Sequence, residues 1–561
     1  MGLRIVYGRA GSGKSKFIYD EINNKINSGE KNKIYIITPE QFSFTAEKKL
    51  MENKKAIINA EVITFDRMAY RVLNDVGGIH NNLTKCGKSM LIYSILQKEK
   101  NNLTLLNKSD ENIDLCIRTI SEFKKNKILI SDLKEELEKI EDNYLKIKLK
   151  DMILIYEKFE LNIENKYIDE TDLLTNLENN IEKTNFLNNS LIYIDEFVGF
   201  TKQELSIIKK IINISKEVTI AFCTDNLDFN TNPDTDIFYP NKKTLNKILK
   251  ILNENEKIET INLNNLYRFK NEELIFIEKY LFNQKQEKYE KEINNIKLFL
   301  AKNKYSEIEN VAKNIINLIK NNNYKFNEIS IITKNITSYS ALIKAIFSKY
   351  EIPVFIDEKK DLNQNTLVRY ILSILEIIIK NYSYESVFNY IKNPFLNLDE
   401  DDIFKLEKYV IKYGIKNNKF KKDFTYGINE KNKEEIEYLN SLRKKIIDPL
   451  IILENKLNKK QSIENIINEF YLFLINENME EKLNEKIIKN NSEFEKEYKL
   501  SYEIIINIFK EIKNIFKDEK ITLDNFYKIF KIGLKNSDLG KIPATQDQII
   551  VGDTEGQDHI K

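Results

Sequence analysis

Gly8-Arg9-Ala10-Gly11-Ser12-Gly13-Lys14-Ser15, set between Leu3-Arg4-Ile5-Val6-Tyr7 and the segment 16–26, decides how the rest of the chain is read. The preceding residues have the apolar, β-branched character of a strand buried on both faces. After the octet, Phe17, Ile18, Ile22 and Ile26 recur at helical spacing. Strand, loop and helix are the context that the pattern G-x-x-x-x-G-K-[ST] requires if it is to bind phosphate. Glycines let the backbone curl so that successive N–H groups and the helix N-terminus face phosphate oxygens. Gly8, Arg9, Ala10, Gly11, Ser12 and Gly13 would form the cradle, Lys14 would place a cation at the β- and γ-phosphates, and the Ser15 hydroxyl would reach Mg²⁺. The chain has only 15 glycines, so three within eight residues weigh against an incidental turn.

At 561 residues the chain has room for about four domains. A 42% hydrophobic and 31% charged composition is that of a globular protein with several cores. The net charge is +2 with acids and bases interleaved, which excludes the overall basic footprint of a small nucleic-acid binder. Any nucleic-acid contact must therefore be a local groove or be shared with another polypeptide. Cys86, Cys116 and Cys223 are scattered without a C-x-x-C, which suits a reducing cytosol and argues against a metal site. His80 and His559 are the only histidines, which disfavours zinc or Ser/His chemistry. No stretch has the length of a membrane span or the form of a signal peptide, so a cytoplasmic location is expected.

Along the chain, strands are predicted at 33–37 and 61–65, with helices between and after them, which gives a doubly wound α/β pattern with parallel strands. Thr38, Phe42, Thr64, Phe65 and Arg67 fall at the carboxyl ends of these strands, facing the crevice where such folds bind ligands; loop capping and packing are their other reading. From 84 to 189 helices dominate, with Leu145, Leu149, Met152, Ile153, Tyr156, Phe159 and Ile163 on one amphipathic face. The strand pattern resumes at Leu191-Ile192-Tyr193-Ile194-Asp195-Glu196. There Asp195 would hold Mg²⁺ through water and Glu196 would polarise an attacking water. Thr201 and Glu204 have the spacing of a capping box. A further strand is expected at 218–222. Arg268, just before a helix at 271–281, would reach a γ-phosphate across a cleft or else serve as a surface or capping base. A second α/β unit, without a phosphate loop, has strands at 296–300, 329–332 and 352–356 and helices at 307–319 and 339–350. Residues 368–540 are again helical. Within them the Lys- and Tyr-rich stretch 405–422 reads as a solvated helix face in preference to a path for a nucleic-acid backbone. The closing strand at 548–552 leads into a polar loop, as if the chain were cut in mid-domain.

Two α/β lobes interrupted by helices, with a phosphate loop in the first, resemble superfamily 1 helicases of the UvrD/Rep type. Gly8 through Ser15, Thr64-Phe65-Asp66-Arg67, Ile194-Asp195-Glu196, Tyr267-Arg268 and the segment 554–561 resemble that family's motifs. The chain is more similar to the AddB component of AddAB-type helicase–nucleases. The stretches that carry this are the octet, Thr38-Pro39-Glu40-Gln41-Phe42, Tyr193-Ile194-Asp195-Glu196-Phe197 with Phe200-Thr201, and Tyr350-Glu351-Ile352-Pro353-Val354-Phe355-Ile356-Asp357-Glu358-Lys359.

The resemblance implies two RecA-like parallel-sheet lobes of a P-loop NTPase, at 1–84 plus 190–265 and at 266–367 plus 541–561, the second truncated. Helical insertions would occupy 85–189 and 368–540. It implies ATP and Mg²⁺ as ligands, an AddA-type partner in a heterodimer, and action on double-strand DNA ends, with Thr38, Phe42, Thr64, Phe65 and Arg67 bordering the DNA path. Glu196 and Arg268 would be the catalytic residues. The family's iron–sulfur nuclease region is expected only in sequence beyond this chain, and the three cysteines here do not match its ligands. Three departures bear on the motor: only Met1 and Gly2 precede the first strand, leaving no glutamine motif; Cys223-Thr224-Asp225-Asn226 stands where Gly-Asp-x-x-Gln is expected; and the last arginine motif is missing. ATP binding is accordingly expected more firmly than translocation. The alternative is a helicase-fold scaffold that scans DNA while its partner supplies the motor.

Overall fold

The computed structural model describes the chain apart from residues 1, 53–55, 78–80, 107–108, 165, 253–256, 283–286, 359, 430–432, 458, 490–491, 518, 540–546 and 554–561. The segment 554–561, with its likeness to a helicase motif, and both histidines lie outside the described residues, as does most of the 541–561 return to the second lobe.

Strand β1 (Gly2–Gly8) runs into the octet and then into helix α1 (Lys14–Asn27). Next come β2 (Ile34–Ile37), α2 (Glu40–Leu50), β3 (Ala60–Ile63) and α3 (Phe65–Val76). Two short strands, β4 (Asn81–Leu83) and β5 (Tyr167–Asp169), pair beside the helical segment that separates β3 from β6 (Leu191–Ile194). With β7 (Glu217–Cys223) and β8 (Lys257–Asn262) the principal strands form a six-stranded sheet, ordered β3-β2-β6-β7-β1-β8. Every pairing in it is parallel.

Strand alternation explains why both faces are covered. Ile34 and Ile36 pack with Ile18 and Ile22 of α1 and Leu50 of α2, whereas Tyr35 and Ile37 pack with Met68 and Val72 of α3 and Ile208 and Ile211 behind β6. A strand apolar on successive residues needs helices on both sides, which is the doubly wound arrangement. Register then aligns the carboxyl ends: Ile37 lies opposite Ile63 and Ile194, and Gly8 opposite Cys223. The loops that start at Arg9, Thr38, Thr64, Asp195 and Thr224 therefore leave from one edge of the sheet.

A second sheet is smaller. β9 (Ser330–Thr333) and β10 (Val354–Ile356) flank β15 (Ile549–Asp553), all parallel, with the helices Lys304–Asn322 and Ser340–Lys349 packed on it. The order β10-β15-β9 brings together strands separated by the whole of the second helical segment. Two-residue ladders join β11 (Lys360–Asp361) to β14 (Asp538–Leu539) and β12 (Gln461–Ser462) to β13 (Lys520–Ile521).

Three differences from the sequence reading have physical causes. Residues 296–300, read as a strand from their apolar run, form no strand: no ladder among the described residues pairs them, and Leu298 and Leu300 are 97% and 92% exposed. β8, which was not expected, is an edge strand whose polar alternation hides it. The helical segments 85–189 and 368–540, read as separate insertions, share one apolar core. Met90, Ile117 and Phe159 of the first belong to the same cluster as Ile371, Phe470 and Phe530 of the second. Amphipathic faces show that something is buried, not what it is buried against. The stretch 405–422 keeps the solvated face read from its sequence: Lys408, Lys412, Lys416, Lys419 and Lys422 are exposed, while Tyr409 and Phe420 are buried beneath them and Lys421 pairs with Glu454.

Candidate functional site

The octet turns sharply because two of its glycines take left-handed angles, φ +80° at Gly11 and +87° at Gly13. Gly8 has a different constraint: a Cβ there would meet the Leu263 carbonyl oxygen and Ser12 Oγ, both at 2.5 Å. Gly13 is the N-cap of α1 and offers no side-chain acceptor to the helix's first amides, and no acid occupies the first turn. Those N–H groups, together with the positive end of the helix dipole, are free of a side-chain cap. Lys14 folds back over the loop, its Nζ donating to the carbonyls of Gly8 and Arg9 at 2.9 Å each. Burial lowers the Lys14 pKa, and the charges of Asp195 and Glu196 work against that shift.

Asp195 and Glu196 follow β6 directly. Asp195 is buried and its Oδ1 accepts the Glu196 amide at 2.9 Å. Ser15 Oγ donates to Glu196 Oε1 at 3.3 Å, so the residue after the lysine meets the acid pair across the sheet edge. Glu196 has φ +70°, a left-handed angle that costs a residue with a side chain about 1 kcal/mol or more. Burial, reinforced by these two carboxylates, pushes the Tyr19 hydroxyl above its ordinary pKa. The capping box at Thr201 and Glu204 is present, with the Glu204 amide donating to Thr201 Oγ1 at 3.2 Å and the Thr201 amide to Glu204 Oε2 at 2.7 Å. It serves the helix Lys202–Ile214, so the acid pair is not part of that cap.

Arg268 reaches the same loop from the segment after β8. The amides of Tyr267 and Arg268 donate to the Gly11 carbonyl at 2.8 and 3.2 Å. The Tyr267 and Phe269 rings lie against Gly13 and Gly11, 3.1 and 3.2 Å from where a Cβ would stand. Arg9 ties this segment down from the other side. Its Nε donates to both Glu278 carboxylate oxygens at 3.0 Å, and its guanidinium lies 5.0 Å from the centre of the Phe238 ring. Sequence reading singled out Arg268 but not Tyr267, Phe269 or Glu278 as neighbours of the loop; the Tyr-Arg pair was the only trace.

Of the five residues at the strand ends, Thr38, Thr64 and Phe65 line one cavity of about 400 Å³ between the sheet edge and helix α3's neighbours from the helical segment. Phe42 and Arg67 lie outside its lining. Arg67 instead pairs with Glu47 at 2.8 Å, and Thr64 Oγ1 caps α3 by accepting the Arg67 amide at 3.2 Å. Phe65 is buried, edge-on to Phe197 with ring centres 5.7 Å apart. Glu40, Asp66, Glu170 and Glu204 face Lys125 in the cavity. Burial raises the Asp66 pKa, and the three neighbouring glutamates add to the rise. The three cysteines are unpaired, and burial pushes the Cys86 and Cys116 thiols up to about 12.

These features define an α/β protein whose polar cluster sits at the carboxyl edge of a parallel sheet. Comparison with known proteins then narrows the class. The family model ADDB, N-terminal matches residues 5–278. The B subunits of ATP-dependent helicase/deoxyribonucleases are similar over nearly the whole chain. Those of Clostridium botulinum (strain Hall) and Thermoanaerobacter sp. (strain X514) are each 36% identical over 98% of this chain and 50% of their own length. That of Clostridium tetani is 36% identical over 99% of this chain and 51% of its own. The chain belongs to the AddB family, and it spans about half the length of the curated relatives it matches. No helix among the described residues is long and apolar enough to cross a membrane.

Proposed function

We propose that the chain is the ATP-binding, helicase-like portion of an AddB protein. It would work in the cytoplasm with an AddA-type partner as an ATP-dependent helicase–exonuclease that processes double-strand DNA ends for repair. One observation carries the reading: Lys14, Ser15, Asp195 and Glu196 converge at one sheet edge, with Ser15 and Glu196 in hydrogen-bonding contact. The octet's amides and Lys14 would hold the phosphates, and Ser15 with Asp195 would hold Mg²⁺. Glu196 would orient a water, and Arg268 would offset charge developing on the γ-phosphoryl group. The donor set fits: hard oxygens for Mg²⁺ and uncapped amides with a partly desolvated ammonium for phosphate. The six-stranded and three-stranded sheets would be the two RecA-like lobes of a P-loop NTPase, with the helical core inserted in both.

Thr38, Thr64 and Phe65 would border the DNA path. The acids around them suit the amino groups of bases and would repel phosphates, so contact there would be with base edges. Phe42 and Arg67 would act from outside that cavity. An iron–sulfur nuclease region would belong to sequence outside this chain.

The seating of Tyr267 and Phe269 on the glycine loop favours a second reading, a scaffold that binds DNA while the partner supplies the motor. Single-strand-stimulated ATP hydrolysis by the AddB protein with its partner, carrying or lacking Lys14→Ala, tests the proposal. Stimulated turnover attributable to AddB and lost in the variant supports the motor. Binding of nucleotide and DNA without such turnover supports the scaffold, and failure to bind nucleotide refutes both.

A further inference from the structure

Four helices begin around the cavity of about 400 Å³ beside Thr38, and each turns an acid of its first turn to the lining. They are Glu40 of α2, Asp66 of α3, Glu170 of the helix Glu170–Asn180 and Glu204 of the helix Lys202–Ile214. One at a time, such acids suit the positive end of a helix. Gathered around one hollow they repel one another, and Lys125 is the only cation in the lining among the described residues. Glu204 is committed to its capping box, and Glu40 lies 3.9 Å from Arg67. Asp66 and Glu170 have neither an ion-pair partner nor a hydrogen-bond donor among the described residues. Burial and the three glutamates hold the Asp66 carboxyl above its ordinary pKa.

The same lining carries oxygens that nothing satisfies. Thr38 is 1% exposed and its Oγ1 has no hydrogen-bond partner. Gln203 is fully buried, and its Oε1 has none either, although its Nε2 donates to the Thr171 carbonyl at 3.0 Å and to Thr175 Oγ1 at 2.8 Å. The bond to the carbonyl fixes which way the amide faces, so the orphan atom is an acceptor. Buried acceptors without donors are costly and call for a partner. Carboxylates and orphan acceptors together ask for N–H groups that carry positive charge. A divalent metal does not fit, since no three His, Cys, Asp or Glu among the described residues stand close enough to hold one. Between the acids the walls are apolar, built by Pro39, Phe65, Leu174 and Phe197. Ammonium groups spaced along a methylene chain match all three features: charge for the acids, N–H for the oxygens, and a hydrocarbon stem against the rings. We propose that this cavity binds a linear polyamine of the spermidine type, with its ammonium groups at Asp66 and Glu170 and its N–H groups on Thr38 Oγ1 and Gln203 Oε1. A nucleobase brings amino groups but no positive charge and leaves the repulsion in place. A bound polyamine takes the space assigned above to base edges, so the two compete; the binding itself does not rest on the DNA or nucleotide readings.

Isothermal titration of spermidine into the full chain at physiological salt tests this. The expected result is saturable one-to-one binding. Asp66→Asn with Glu170→Gln weakens it about 10-fold or more. Thr38→Val, which keeps the shape and drops the hydroxyl, weakens it about 5-fold. No saturable binding by the wild type overturns the proposal, as does unchanged affinity in the acid pair. Displacement by magnesium ion at equal charge concentration also overturns it, because the binding would then be a general response to negative surface. Thermal midpoints of the same samples show that the variants are folded. Should the acid pair not fold, Thr38→Val decides, and unchanged affinity there overturns the proposal. A labelled oligothymidylate that stays bound as spermidine saturates the cavity would leave this result intact and count against the DNA-path reading instead.

Discussion

Ser15 and Glu196 are 181 positions apart and stand in contact, with Ser15 Oγ donating to Glu196 Oε1 at 3.3 Å. The parallel sheet makes the meeting possible, since β1 and β6 end at the same edge with only β7 between them. Glu196 holds a left-handed backbone angle to be there. Strain of this kind at a polar cluster is common where chemistry fixes the geometry.

Replacing Glu196 separates chemistry from folding. If Glu196 orients the attacking water as proposed, Glu196→Gln should keep nucleotide affinity within about 3-fold and lower turnover at least about 100-fold, because only the step that needs that water is removed. Glu196→Gly relieves the left-handed strain and leaves stability unchanged or raised by about 1 kcal/mol. Urea midpoints beside ATPase rates check both. A stability loss in Glu196→Gly would show that the residue serves the fold.

Gly13 has two constraints, its φ of +87° and the Tyr267 ring 3.1 Å from any added Cβ. Gly13→Ala should therefore destabilise the chain by about 1–2 kcal/mol and lower nucleotide affinity at least about 10-fold. Fluorescent-nucleotide titration and a thermal melt measure the two effects. A variant that binds normally would show that the loop is not the phosphate cradle.

Arg4, Lys25 and Tyr193 gather around Glu21 of α1, with Arg4 Nη1 at 2.7 Å and the Tyr193 hydroxyl donating at 2.7 Å. Burial alone would raise the Glu21 pKa, but hydrogen bonds from Arg4, Lys25 and Tyr193 outweigh it and hold the carboxyl down at about 2. A depressed folded pKa stabilises the protein above the unfolded value and is lost as pH falls through the folded one. Glu21 therefore contributes fully at neutral pH, and its share disappears between about pH 4.5 and pH 2. Glu21→Gln should cost about 1–3 kcal/mol at pH 7 and much less near pH 2, read from denaturation midpoints at the two pH values.

The helical core has its own ionic centre. Asp169 is buried between Lys88 and Lys124, at 2.9 and 3.3 Å, and Lys124 also meets Glu160 and Asp172 at 2.7 Å each. Burial would raise the Asp169 pKa, yet the two ammonium groups and the Thr171 hydroxyl bring it below the ordinary aspartate range. Removing that carboxylate leaves Lys88 buried without an acid partner among the described residues, while Lys124 keeps Glu160 and Asp172, so Asp169→Asn should destabilise by about 3–5 kcal/mol at pH 7. Chemical denaturation of the variant measures it; a loss below about 1 kcal/mol would mean that water already reaches the cluster.

The first sheet was legible because its strands carry their own signal. Ile34-Tyr35-Ile36-Ile37 and Leu191-Ile192-Tyr193-Ile194 are apolar on successive residues, and the octet marks the first crossover. Asp195 and Glu196 were legible for the same reason, falling directly after a strand, whereas Lys14 and Ser15 were read from the octet's own spacing. What could not be read was anything fixed by distant partners. Thr38, Thr64 and Phe65 share a cavity while Phe42 and Arg67 do not, because helix phase turns the last two away. The sequence pattern suggests a helix from Thr45 to about Met51, yet α2 begins at Glu40, straight after Pro39. The shared core of the two helical segments, which sets Met90 and Phe159 with Ile371 and Phe530, joins residues far apart in sequence, so no local spacing announces it.

Residues 296–300 give a last prediction. Ile296, Phe299 and especially Leu298 and Leu300 project from backbone that no strand accompanies among the described residues. Leu298 and Leu300 bury almost nothing and so add little to the fold, and exposed apolar side chains this close together promote association between chains. Leu298→Lys with Leu300→Lys should leave the stability of this chain within about 0.5 kcal/mol of wild type. The same pair should shift its sedimentation toward monomer at high protein concentration. Marked destabilisation would show instead that the two leucines are covered within the folded chain, and unchanged self-association would place the sticky surface elsewhere.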